Sequence, residues 1–75
     1  LTLAAPTAGL DDGAMLYVIA ATAAAHTLTN TSPGFNNGGA GSDVGTFGGA
    51  IGDNIVLVAY NGIWHVVSKV NVTLA

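Results

Sequence analysis

Between residues 54 and 70 the chain reads NIVLVAYNGIWHVVSKV, two runs rich in β-branched and aromatic residues on either side of Asn61-Gly62. Asn-Gly tolerates the positive φ angles that both central positions of a type I′ turn require, so the pattern predicts a β-hairpin. A two-residue loop sets Tyr60 opposite Ile63, Ala59 opposite Trp64, Val58 opposite His65 and Leu57 opposite Val66. One face then carries Val56, Val58, Tyr60, Ile63, His65 and Val67, and the other Ile55, Leu57, Ala59, Trp64 and Val66. Both faces are apolar. A hairpin with one wet side alternates apolar and polar residues, so this one is expected to be covered on both, by a second sheet or by another subunit.

AMLYVIAAT, residues 14–22, has the same double-sided character, with Met15, Tyr17 and Ile19 pointing one way and Leu16, Val18 and Ala20 the other. The alanines from Ala20 to Ala25 offer a helix as the alternative. The β-branched Val18, Ile19 and Thr22, and the turn-forming Asp11-Asp12-Gly13 just before, favour a strand. Shorter extended pieces are expected at LTLAA (stopped by Pro6), HTLTN, VGTFG and the closing NVTLA. The chain thus reads as one domain over residues 1–75, all-β, with six or seven short strands in a small sandwich or barrel.

Size and charge sharpen this picture. A 75-residue chain has a core that seldom supplies more than about 3–5 kcal/mol, and small domains are usually reinforced by disulfides, metals or partner chains. With no cysteine, disulfides and thiolate metal sites are excluded, which leaves association. Charged residues make up 7% of the chain and hydrophobic ones 51%, with mean hydropathy +0.60, whereas an average soluble domain is roughly 25% charged. Much of the exterior is therefore expected to be buried against copies of the chain or another protein. One basic residue and a net charge of −3 leave nothing to neutralise a row of phosphates, so nucleic acid is not an expected partner. The most apolar stretch, Ala14 to Ala25, falls short of the roughly 18–20 residues of a spanning helix, and no membrane partner is expected. The N-terminal LTLAAPTAGL lacks the basic start of a signal peptide.

Chemistry-bearing residues are few. GFNNGGAGSDVGTFGGAIGD, residues 34–53, carries eight glycines, yet it matches neither the G-x-G-x-x-G fingerprint nor the G-K-[ST] ending of a P-loop. It reads as a mobile or tightly turned connection rather than a cofactor loop. His26 and His65 would need a third donor, Asp43 or Asp53, to hold a metal, and packing or backbone hydrogen bonds explain lone strand histidines as well. Asp11-Asp12-Gly13 and Gly52-Asp53-Asn54 lack the spacing of a calcium loop and read as turns. Asn30-Thr31-Ser32 and Asn71-Val72-Thr73 match the glycosylation sequon, a pattern short enough to arise by chance. No cofactor, metal or catalytic residue is expected. Tyr17, Ile19, Val56, Leu57, Val58, Tyr60, Trp64 and Val66 are the expected interface residues, since large aromatics and aliphatics in so small a domain serve as core anchors or interface hot spots.

The order of motifs, LTLAAPTAG followed by DDG, then AAAHTLTN, TFGGAIGD, LVAYNGIWHVVS and NVTL, resembles small β-rich virion proteins of tailed bacteriophages, found as head decoration or cement proteins and in head or tail fibres. The resemblance runs from Leu1 to the end of the chain. It implies a noncatalytic accessory protein of the virion, a homotrimer seated on the major capsid protein or another virion protein, which stabilises the phage head through apolar contacts. The alternative it implies is a fibre module that binds a host-surface glycan.

Overall fold

A computed structural model describes residues 1–75. The chain forms six strands, β1 (Met15–Ile19), β2 (Thr27–Thr29), β3 (Val44–Phe47), β4 (Asn54–Tyr60), β5 (Ile63–Val70) and β6 (Val72–Leu74), with two short 3₁₀ turns at Phe35–Asn37 and Gly39–Gly41 and no α-helix. They make two antiparallel three-stranded sheets, ordered β1-β4-β5 and β2-β3-β6. The alanine-rich segment after β1 is a series of bends.

In the first sheet β4 and β5 meet across Asn61 and Gly62, whose φ angles of 52° and 78° are those a two-residue primed turn needs. Tyr60 pairs with Ile63, Ala59 with Trp64, Val58 with His65 and Leu57 with Val66. The register then shifts, Val56 facing Ser68 and Ile55 facing Lys69. Val67 is the extra residue of a β-bulge, which corrects the expectation that it continues the Val56 and Val58 face. On the far side of β4, β1 pairs without interruption from Met15 opposite Val58 to Ile19 opposite Asn54.

The second sheet alternates cleanly. Leu28, Gly45, Phe47, Val72 and Leu74 turn inward, while Thr27, Thr46 and Thr73, aligned across the three strands, are exposed. The inner faces of the two sheets share one core of Ala20, Leu28, Phe35, Phe47, Ile55, Leu57 and Val72, with Leu16, Val18, Trp64 and Val66 packed against it. Two separate sheets closed over one core are the arrangement of a small sandwich. Burying each large side chain removes it from water at about 1.5–3 kcal/mol, which is what holds the sheets together.

The glycine-rich segment is part of this structure. Gly34 takes φ 81°, a conformation that disfavours side chains, and turns the chain so that Phe35 is fully buried. A Cβ on Gly34 would collide with the backbone of Gly39. The loop closes on itself through Phe35 N–H to the Ser42 carbonyl and Gly39 N–H to the Pro33 carbonyl, both 2.9 Å, before β3 begins. Tight turning, with a strand inside it, is therefore the outcome for residues 34–53.

The expected N-terminal strand LTLAA reduces to one parallel bridge between Thr2 and Thr29, with Leu3 N–H donating to the Thr29 carbonyl at 2.7 Å. Pro6 is buried, and the indole N–H of Trp64 donates to the Ala4 carbonyl at 2.9 Å, so this segment is pinned across the end of the sandwich rather than extended into a ladder.

Candidate interaction surface

Alternation along β1, β4 and β5 gives the first sheet an inner and an outer face. Leu16, Val18, Ile55, Leu57, Ala59, Trp64 and Val66 point into the core. The outer face carries, in cross-strand rows, Met15, Val58 and His65, then Tyr17, Val56 and Ser68, then Ile19, Asn54 and Val70, with Tyr60 and Ile63 toward the turn. No element of the chain covers it: Tyr17 is 65% exposed, Ile19 64% and Tyr60 63%. An apolar sheet face with no charged side chain on it is the feature of this molecule that asks for an explanation, because monomeric proteins rarely leave contiguous apolar patches of this kind in water.

The eight expected interface residues divide between the two faces. Tyr17, Ile19, Val56, Val58 and Tyr60 lie together on the outer one. Leu57 is completely buried, and Trp64 and Val66 pack against the same core, so these three hold the chain's own sheets together. The alternation identified two faces but not which of them the second sheet would take. The expectation of cover on both faces is met on the inner one by the chain itself.

A concave feature lies where β1 ends. An apolar cleft of about 510 Å³ has Ala20, Leu28 and Phe47 at its base and Ile19, Ala25 and His26 among its walls. The Nε2 of His26 lies 2.9 Å from the Thr22 hydroxyl and 3.3 Å from the Thr22 carbonyl, and the ring meets Phe47 edge-on at 6.4 Å. These contacts close the 22–26 loop over the end of β1. Both Thr22 contacts fall on Nε2, so they hold the imidazole to its own loop. His65 stands apart on the outer face opposite Val58, and no three His, Cys, Asp or Glu side chains gather at one point.

The acidic turns do structural work. Asp11 accepts the Thr7 N–H at 2.7 Å, and Asp12 accepts those of Gly9 at 3.1 Å and Asn61 at 2.8 Å, joining the turn before β1 to the β4–β5 turn. Asp53 is buried and accepts the Ala50 N–H at 3.0 Å. Asn30, one of the sequon asparagines, is also buried, with its amide bonded to the Leu3 carbonyl and the Gly34 N–H, both at 3.2 Å, so its side chain holds the loop. Its role has no local signal, since both partners are distant or glycine. Comparison with known proteins returned no matching family model, no similar curated protein and no similar solved structure.

Proposed function

We propose that this chain is a noncatalytic structural module that works by association through the outer face of the β1-β4-β5 sheet, as an accessory protein of a tailed-phage virion that forms homotrimers and decorates the capsid. The observation that carries the reading is the open apolar face itself, with Tyr17, Ile19 and Tyr60 exposed upon it. The virion setting rests on the resemblance of the motifs.

Magnitudes decide how such a face would be used. Covering a few hundred Å² gives about 5–10 kcal/mol at ~25 cal/mol per Å², comparable to the roughly 4–15 kcal/mol lost on association. A single contact is weak. Symmetric copies bound together to a shell engage many contacts at once and dissociate rarely.

The test compares the unaltered chain with Tyr17→Asp in solution mass and in binding to purified phage shells. The reading requires the variant to lose both while its circular dichroism stays that of the parent; a variant that assembles and binds like the parent overturns it. The fibre alternative draws on the same exposed Tyr17 and Tyr60, whose rings could stack on sugars. A glycan array without hits removes it.

A further inference from the structure

The two edges of the first sheet are built differently. Sheet edges in soluble proteins are usually blunted by lysine, proline, bulges or covering segments. β5 has several of these: Asn36 Oδ1 accepts the Val66 N–H at 2.9 Å, the bulge at Val67 breaks the register, and Lys69 follows. β1 has none. Its sequence MLYVI is apolar throughout and unbulged. Ala20 donates to the Asp53 carbonyl and Ala14 accepts from Ala59, both at 2.8 Å, so the even-numbered residues bond to β4. By the antiparallel alternation, the N–H and C=O groups of Met15, Tyr17 and Ile19 point away from the sheet. The side chains of the same three residues are 47%, 65% and 64% exposed.

Complementary features stand at the two ends of this edge. Before β1, the turn braced by Asp11 and Asp12 presents Leu10, 84% exposed. Past its other end lies the apolar cleft walled by Ala21, Ala25 and His26.

We propose that β1 pairs antiparallel with β1 of a second copy about a two-fold axis at Tyr17, joining two three-stranded sheets into one. Met15 then faces the partner's Ile19, and Tyr17 faces the partner's Tyr17. The antiparallel direction brings each Leu10 turn to the end of the other copy that holds the cleft, an apolar knob to an apolar hollow, with Asp11 and Asp12 toward the hydrogen-bonding ring of His26. A parallel pair would set knob against knob and leave both clefts unfilled. Such a two-fold contact is isologous and closes on itself. It does not depend on the face contact: edge pairing alone closes as a dimer and leaves the outer face free for other copies.

The chain has no cysteine, so Tyr17→Cys introduces a single thiol. Opposed residues of a hydrogen-bonded antiparallel pair have Cα atoms about 5.5 Å apart, within the roughly 4.4–6.8 Å a disulfide spans. Oxidised at micromolar concentration, Tyr17→Cys is expected to run as a covalent dimer on a non-reducing gel, and Val58→Cys, one strand further in on the same face, to remain uncrosslinked. Leu10→Asp, at a position too exposed to matter for folding, is expected to weaken self-association by about tenfold or more, the loss that follows from burying a leucine. Equal crosslinking of Val58→Cys and Tyr17→Cys points to the face contact and overturns the edge pairing, as does a folded Tyr17→Cys chain that stays uncrosslinked. Should Tyr17→Cys not fold, an unchanged dissociation constant for Leu10→Asp overturns it alone.

Discussion

The side-chain amide of Asn71 reaches both carboxylate oxygens of Asp53, 3.1 Å to each. Asn71 sits at φ 55° between β5 and β6, where the chain leaves one sheet for the other, and Asp53 is 4% exposed in front of β4. The contact fixes the corner that sets the two sheets over a common core. Asp53→Ala leaves the Asn71 amide and the Ala50 N–H without their acceptor, at a cost of about 1–3 kcal/mol. Urea denaturation is expected to show a loss in that range, and a change below about 0.5 kcal/mol would contradict the role.

Trp64 is expected to act on stability rather than on assembly directly. Its ring packs against the core and its N–H holds Ala4. Trp64→Ala should lower the unfolding free energy by about 2–4 kcal/mol, and Trp64→Phe by less, because it keeps most of the buried ring and loses one hydrogen bond. Comparable denaturation midpoints for the two variants would show that the ring contributes little.

Leu57 and Val58 are neighbours in sequence on opposite faces, which makes them a paired test. Leu57→Asp places a carboxylate where the side chain has no exposure and should unfold the chain. Val58→Asp lies on the open face and should leave the monomer folded while weakening association severalfold. Far-ultraviolet circular dichroism and sedimentation on both variants separate the two effects; a folded Leu57→Asp chain would mean that the core is not where the sheets place it.

Gly34→Ala combines a left-handed backbone with a collision against Gly39. More than about 1 kcal/mol is expected to be lost, accompanied by exposure of Phe35. Hydrogen exchange confined to residues 33–42 would register the change locally, whereas Gly9→Ala, also at positive φ but in open space, should cost less.

What could be read from the sequence follows the range of the forces involved. The pairing from Tyr60–Ile63 to Leu57–Val66 was legible because Asn61-Gly62 fixes it within a few residues, and β1 because its β-branched Val18 and Ile19 and the Asp11-Asp12-Gly13 turn before it are local signals. The bulge at Val67 was not, since nothing in VVSK distinguishes a residue that pairs from one that is skipped. Phe35 belongs to the aromatics expected as core anchors or interface hot spots, but which of the two was not legible, because it sits in a glycine-rich run without periodicity; only the turn at Gly34 returns it to the interior. For the candidate surface, period-two alternation sorted Tyr17, Val56, Val58 and Tyr60 from Leu57, Trp64 and Val66 in space. It could not say which set the second sheet would claim, because both are apolar and that choice depends on segments far along the chain.

The placement of charge has one more consequence. Asp11, Asp12 and Asp53 are folded back onto the chain's own amides, Lys69 reaches the Val72 carbonyl, and no aspartate or lysine stands in the cross-strand rows of the outer β1-β4-β5 face. Copies meeting on that face would bring no aspartate or lysine against one another there. Their contacts should therefore persist across a wide range of ionic strength, where a lattice built on ion pairs would loosen.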